Sequence, residues 1–185
     1  MSLAKPKIYL PDPTAYGGEL RKLRKGRVGH RRLDFGNTMH LVLRSTQAKG
    51  DWSFTRKKNR NKIDKILSKF AALYSVKVLS MAYVGNHLHF HLKLSTRQSY
   101  CKFIKAVTSA IVMAITGVNK FKSLTKAFWD LRPFTRIVFG LKGRQILEKY
   151  IQANQLEGQG WNRVAAKEMI KNEYGRWIED TYDSA

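Results

Sequence analysis

The run VGNHLHFHLKL, residues 84–94, constrains this chain more than any other stretch. His87, His89 and His91 alternate with Leu88, Phe90 and Leu92. A repeat of two is the period of a β-strand, whose successive side chains point to opposite faces. One face of this strand is apolar and must meet a core. The other carries three of the chain's five histidines. Neutral imidazole is a common metal ligand, and two on one strand face can share an ion. The structural alternative is a half-exposed strand that happens to carry histidines. Three imidazoles on one face within five positions weigh against it.

The flanking sequence places this strand in a sheet. Residues 38–45 (TMHLVLRS) follow a Gly36-Asn37 turn signal and read as a first strand. His40 lies on it and is taken as structural, since no other ligand type is near it in sequence. Residues 58–74 form an amphipathic helix with Ile63, Ile66, Leu67, Phe70 and Leu73 at three and four spacing. Residues 76–83 (VKVLSMAY) are a second strand, and Gly85-Asn86 turns it into the histidine strand as a hairpin. A second helix, 98–116, carries the apolar stripe Phe103, Val107, Ile111 and Ile115, and Gly117 ends it. A fourth strand (134–139), a third helix (143–154, stopped by Gly158 and Gly160) and a last helix (164–180) follow. Strand, helix, strand, strand, helix, strand is the ferredoxin-like βαββαβ order of an α+β fold: one antiparallel sheet with helices on one face. The tyrosine-bearing third helix and the C-terminal helix are additions to it. The domain expectation is a basic extended arm (1–36), a catalytic domain (37–160) and a helical tail (161–185).

Charge narrows the partner. Lys and Arg number 35 against 13 Asp and Glu, a formal net charge of +22. Nucleic acid phosphate is the commonest partner for such an excess. The arm concentrates Arg21, Lys22, Arg24, Lys25, Arg27, Arg31 and Arg32. Lys57, Lys58 and Arg60 open the first helix, where the helix dipole disfavours cations, so an anionic ligand is expected nearby. With Arg132 and Arg136 they form the expected DNA-gripping set. Trp129, Phe134 and Trp161 are candidates for stacking on unpaired bases, each with a core role as its alternative. Cys101 is the only cysteine, which suits a reducing compartment. No apolar run follows Lys5, Pro6 and Lys7. The expectation is a cytoplasmic protein without a membrane partner.

Tyr150 and Asn154, four apart, share one face of the third helix. Laid across the free face of the sheet, that helix would bring them over His87 and His89. Two imidazoles and one amide oxygen leave a bound ion with open positions for phosphate and water, unlike a closed structural zinc site. A phenol, with a pKa near 10, needs such an ion to polarise the phosphate it attacks. On periodicity alone, Tyr150 reads first as a packed aromatic, since Ile146, Leu147, Tyr150 and Ile151 form one stripe.

GNHLHFHLKL resembles the His-hydrophobic-His motif of the HUH single-tyrosine transposases, and YIQAN (150–154) resembles their tyrosine helix. HLVLRS and FWDLRPFTRIV resemble their first strand and the approach to their fourth. The resemblance spans about residues 38–160 and is nearest to the REP-associated tyrosine transposases. It implies Tyr150 as nucleophile, His87 and His89 as metal ligands, position 154 as the third ligand, and magnesium or manganese as the metal. Ligand softness alone would suggest manganese or zinc. The insertion-sequence branch has Gln at position 154, and here Gln155 adjoins Asn154, so either amide could serve. The prolines often found after that Asn and before Asn86 are absent. His91 lies beyond the family pair, open as a fourth ligand, a phosphate contact or neither. The implied activity is metal-dependent cleavage and rejoining of single-stranded DNA near hairpins, through a 5′-phosphotyrosine, by a monomer or homodimer. A non-catalytic DNA- or RNA-binding module on the same sheet is the competing expectation, and a relaxase or replication initiator of the HUH class ranks third.

Overall fold

Alternation sorts the sheet's side chains into two layers in the computed structural model, which describes residues 33–119, 121–130 and 132–174. The elements are β1 (Thr38–Arg44), α1 (Lys57–Leu73), β2 (Lys77–Val84), β3 (His87–Lys93), α2 (Arg97–Thr116), β4 (Phe134–Val138), α3 (Gly140–Gly158) and α4 (Arg163–Tyr174), with a short 3-10 turn at Gly50–Trp52. The strands pair antiparallel in the order β2-β3-β1-β4, the ferredoxin-like arrangement expected from the sequence. Val84 pairs with His87, so Gly85 and Asn86 make a two-residue hairpin. Residues 1–32 of the basic arm and 175–180 of the expected last helix lie outside the described residues.

Met39, Leu41 and Leu43 of β1 and Leu88, Phe90 and Leu92 of β3 face one way. They pack on Ile63 and Leu67 of α1 and on Phe103, Val107, Ile111 and Ile115 of α2. Each such side chain contributes about 1.5–3 kcal/mol on full burial. Among the described residues, α2 alone is long and apolar enough to cross a membrane, and its stripe is spent on this core. Thr96 caps its first turn by accepting from the Ser99 amide at 3.1 Å. Gly117, at φ +74°, closes its last turn by donating to the Met113 carbonyl at 3.0 Å.

The second layer is smaller: Ala82, Val138, Leu147 and Ile151, with Tyr150 packed against them. Here α3 crosses the face that a bare βαββαβ unit leaves open. It is longer than the expected 143–154 at both ends. Gly140, at φ +62°, turns the chain from β4 into helix with only Phe139 between, a bend that favours a residue without Cβ. At the other end Gly158 is a contact as well as an end. A Cβ there would lie 1.8 Å from the Tyr83 carbonyl oxygen, so α3 rests directly on the β2 backbone.

Gly158→Ala is therefore expected to lower stability by at least about 2 kcal/mol, because backbone and not a flexible side chain must give way. An exposed helical glycine would instead gain up to about 1 kcal/mol from alanine. Urea unfolding distinguishes the two, and an unchanged or raised midpoint would show that α3 does not sit this close to β2.

Candidate metal and tyrosine site

The imidazoles stand beneath α3. His87, His89 and His91 share the α3 face of β3, and His40 of β1 lies opposite His91 in the register. Leu147, Tyr150, Ile151 and Asn154 recur at three and four spacing and turn one face of α3 toward the sheet. The Tyr150 ring meets His89 edge to face, centroids 5.4 Å apart, and meets His40 likewise at 5.7 Å. The His87 and His89 rings are 4.8 Å apart. One chain thus brings together the tyrosine and the histidine pair singled out from the sequence. Asn154 is buried, and its amide nitrogen donates to the Tyr150 carbonyl at 2.8 Å. That leaves Oδ1 as the donor a cation would use. Gln155 points elsewhere: its Oε1 accepts from the Tyr83 amide at 3.0 Å, on the outer edge of β2.

Whether this set suits a metal is decided by its nitrogens. His87 Nδ1 is engaged by Asn86 Oδ1 at 2.8 Å. His89 Nδ1 is engaged by His40 Nε2 at 3.1 Å. His89 Nε2 is buried and has no hydrogen-bond partner. A buried polar atom left unsatisfied costs about 1–3 kcal/mol, and an absent ion is one of the few explanations for tolerating it. Hydrogen-bonded Nδ1 atoms and available Nε2 atoms are how ligating histidines are commonly held. No cluster of three His, Cys, Asp or Glu suited to a metal occurs among the described residues. The fit rests instead on two imidazoles and an amide oxygen.

Electrostatics keep the imidazoles neutral, as ligands must be. Burial first, then the Arg136 charge and His91, push His40 down to about 3. Burial and then Arg144 push His91 down to about 4. Burial, with His40 and His87 beside it, holds His89 well below the usual imidazole range. His87 is lowered by burial and then by Arg44. An unfolded chain titrates these groups near pH 6.5, so below that pH it binds protons the native state refuses. Stability is then full above pH 6.5 and falls as the pH drops toward the native values. With chelator present, urea unfolding is expected to show little change from pH 8 to 7. Between pH 6 and 5, above the carboxylate range, the two most deeply buried imidazoles, His40 and His89, are together expected to lower stability by up to about 3 kcal/mol per pH unit. A flat profile down to pH 5 would mean that the imidazoles are not buried.

The cationic residues distribute unevenly. Lys57, Lys58 and Arg132 are exposed and Arg60 is half-buried. Arg136 is placed differently from the other expected DNA-gripping residues. It is only 8% exposed and pairs with His40 in the register, so its charge acts on the imidazole row and not at the surface. Its position two residues before Val138, which packs with Leu147 and Ile151, puts it on the sheet face that α3 packs against. Arg21, Lys22, Arg24, Lys25, Arg27, Arg31 and Arg32 lie outside the described residues. Trp129 belongs to the core: it stacks on Phe54 at 5.7 Å, and its Nε1 donates to the Thr108 carbonyl at 3.2 Å. Phe134 meets His40 edge to face at 6.2 Å, whereas Trp161 is 47% exposed. Sequence reading missed the part played by His40. The only available signal was its inclusion in an alternating strand of its own.

Residues 35–154 match the family model described as IS200-like transposase. Curated proteins give no match. Among solved structures, the REP-associated tyrosine transposase bound to a REP hairpin aligns at a TM-score of 0.56 and 14% identity, covering 73% of this chain and 76% of that one. A protein of Deinococcus radiodurans R1 described as a transposase aligns at 0.44 and 16% identity, covering 71% of this chain and 96% of its own. At such identities the first likeness speaks for the fold alone.

Proposed function

Because the chain belongs to the IS200-like transposase family, we propose that it cuts and rejoins single-stranded DNA at hairpin-associated sites, with Tyr150 as the nucleophile. The observation that carries this reading is the Tyr150 ring against His89 and His40, under a helix that crosses the open sheet face. The Tyr150 oxygen attacks the scissile phosphorus, the bond to the 3′ oxygen breaks, and that oxygen leaves as a 3′-hydroxyl. The 5′ side stays on the protein as a phosphotyrosine. A 3′-hydroxyl returning to the same phosphorus reverses the step, so strands exchange without an outside energy source. His87 Nε2, His89 Nε2 and Asn154 Oδ1 would hold a divalent ion, magnesium or manganese. When bound, it supplies a Lewis acid that polarises and orients the phosphate. Two imidazoles suit manganese better than magnesium.

Lys57, Lys58, Arg60 and Arg132, with the basic arm, grip the DNA backbone in this reading. Of the three expected stacking aromatics, Trp161 is the exposed one and is available to an unpaired base. Gln155 serves β2, which favours Asn154 as the third ligand. Placement of Tyr150 beside its own chain's histidines supports action in cis, and the exposed lone cysteine is compatible with a cytoplasmic setting.

The test is incubation with single-stranded hairpin DNA and Mn2+, followed by a denaturing gel. A protein-DNA band that survives denaturation is expected. Retardation on native gels alone would overturn catalysis and leave a binding module.

A further inference from the structure

We propose that His40 is a positioning residue: by accepting the Nδ1–H of His89 it keeps His89 Nε2 unprotonated and available to a cation. The inference rests on the metal-dependent reading above, and it concerns a residue outside the proposed ligand set. His40 comes from β1, an interior strand, and is 4% exposed. Its direct partners in the register are His91 and Arg136, yet its hydrogen bond runs diagonally to His89. The two rings lie 14° from parallel with centroids 5.3 Å apart, so the contact holds the plane of His89 as well as one nitrogen.

Only two neutral arrangements satisfy this bond. In one, His89 carries its proton on Nδ1 and donates to His40 Nε2. In the other, His40 donates and His89 is protonated on Nε2. The second strands a buried N–H with nothing to accept it, because His89 Nε2 has no partner. The first leaves a lone pair there, which a cation satisfies. Asn86 does the same for His87 through its own side-chain oxygen. Both ligands are then oriented from behind, one by the hairpin turn and one by the neighbouring strand β1.

Nitrogen-15 NMR of the metal-free protein reads the tautomer directly, and Mn2+ titration followed by electron paramagnetic resonance reads the affinity. In the wild type, His89 is expected as the Nδ1–H form. His40→Phe keeps an aromatic ring in the stack and removes the acceptor. It is expected to release His89 toward the Nε2–H form and to weaken Mn2+ binding about 10–100-fold, the usual loss for a group that orients a ligand. His40→Gln returns an acceptor oxygen and should recover most of that affinity. Wild-type His89 found as the Nε2–H form overturns the proposal, whether or not His40→Phe folds. So does a His40→Phe protein that binds Mn2+ as the wild type does. A wild type that binds no Mn2+ and forms no adduct would instead defeat the reading of function, while the metal-free tautomer would still settle what His40 does to His89.

Discussion

Tyr150→Phe is expected to abolish the covalent protein-DNA adduct, with strand cleavage below about one thousandth of the wild-type rate, the scale of loss when a covalent nucleophile is removed. The substitution deletes one oxygen and keeps the ring. The edge contacts to His89 and His40, and the packing against Ala82, Val138, Leu147 and Ile151, should survive. Folding, Mn2+ affinity and retardation of hairpin DNA are accordingly expected to stay near wild type. That combination separates a nucleophile from a packed aromatic, for which Phe would be nearly silent. Adduct formation by Tyr150→Phe at the wild-type rate would transfer the nucleophile to another residue.

Replacing His87 and His89 together with Ala is expected to lower Mn2+-dependent adduct formation by at least about a hundredfold. A Lewis acid on the scissile phosphate is worth several kcal/mol, and each 1.36 kcal/mol is roughly tenfold in rate. Mn2+ titration should show the loss independently of DNA, because His89 supplies the one buried imidazole nitrogen among the described residues that lacks a partner. The α1/α2 layer of the core contains neither histidine, so circular dichroism should still report a folded protein. Unchanged Mn2+-stimulated cleavage in this variant would remove the histidine pair from the chemistry and leave Tyr150 to be explained without it. The two variants fail differently: one keeps metal binding and loses the phenol, the other keeps the phenol and loses metal binding.

Much of this arrangement was written in local periods. Alternation over residues 87–92 puts three imidazoles on one face whatever the strand packs against, because a strand's period is two. The four-residue step from Tyr150 to Asn154 puts them on one face of a helix for the same kind of reason. The order of elements, with a two-residue turn at Gly85-Asn86, was enough to name the ferredoxin-like sheet. Tertiary structure decided which separate faces meet. That α3 lies across the imidazole face depends on its seating against β2 at Gly158, on Gln155 reaching the Tyr83 amide, and on an apolar patch drawn from β2, β4 and α3. His40 became part of the site because β1 and β3 pair in a register that sets residues 49 apart within one hydrogen bond. Arg136 is buried on the sheet face whose Val138 packs against the helix that follows its strand. Side-chain periodicity is set by backbone geometry within a few residues. Contacts between distant segments are set by which surfaces exclude water together, and no single segment contains that information.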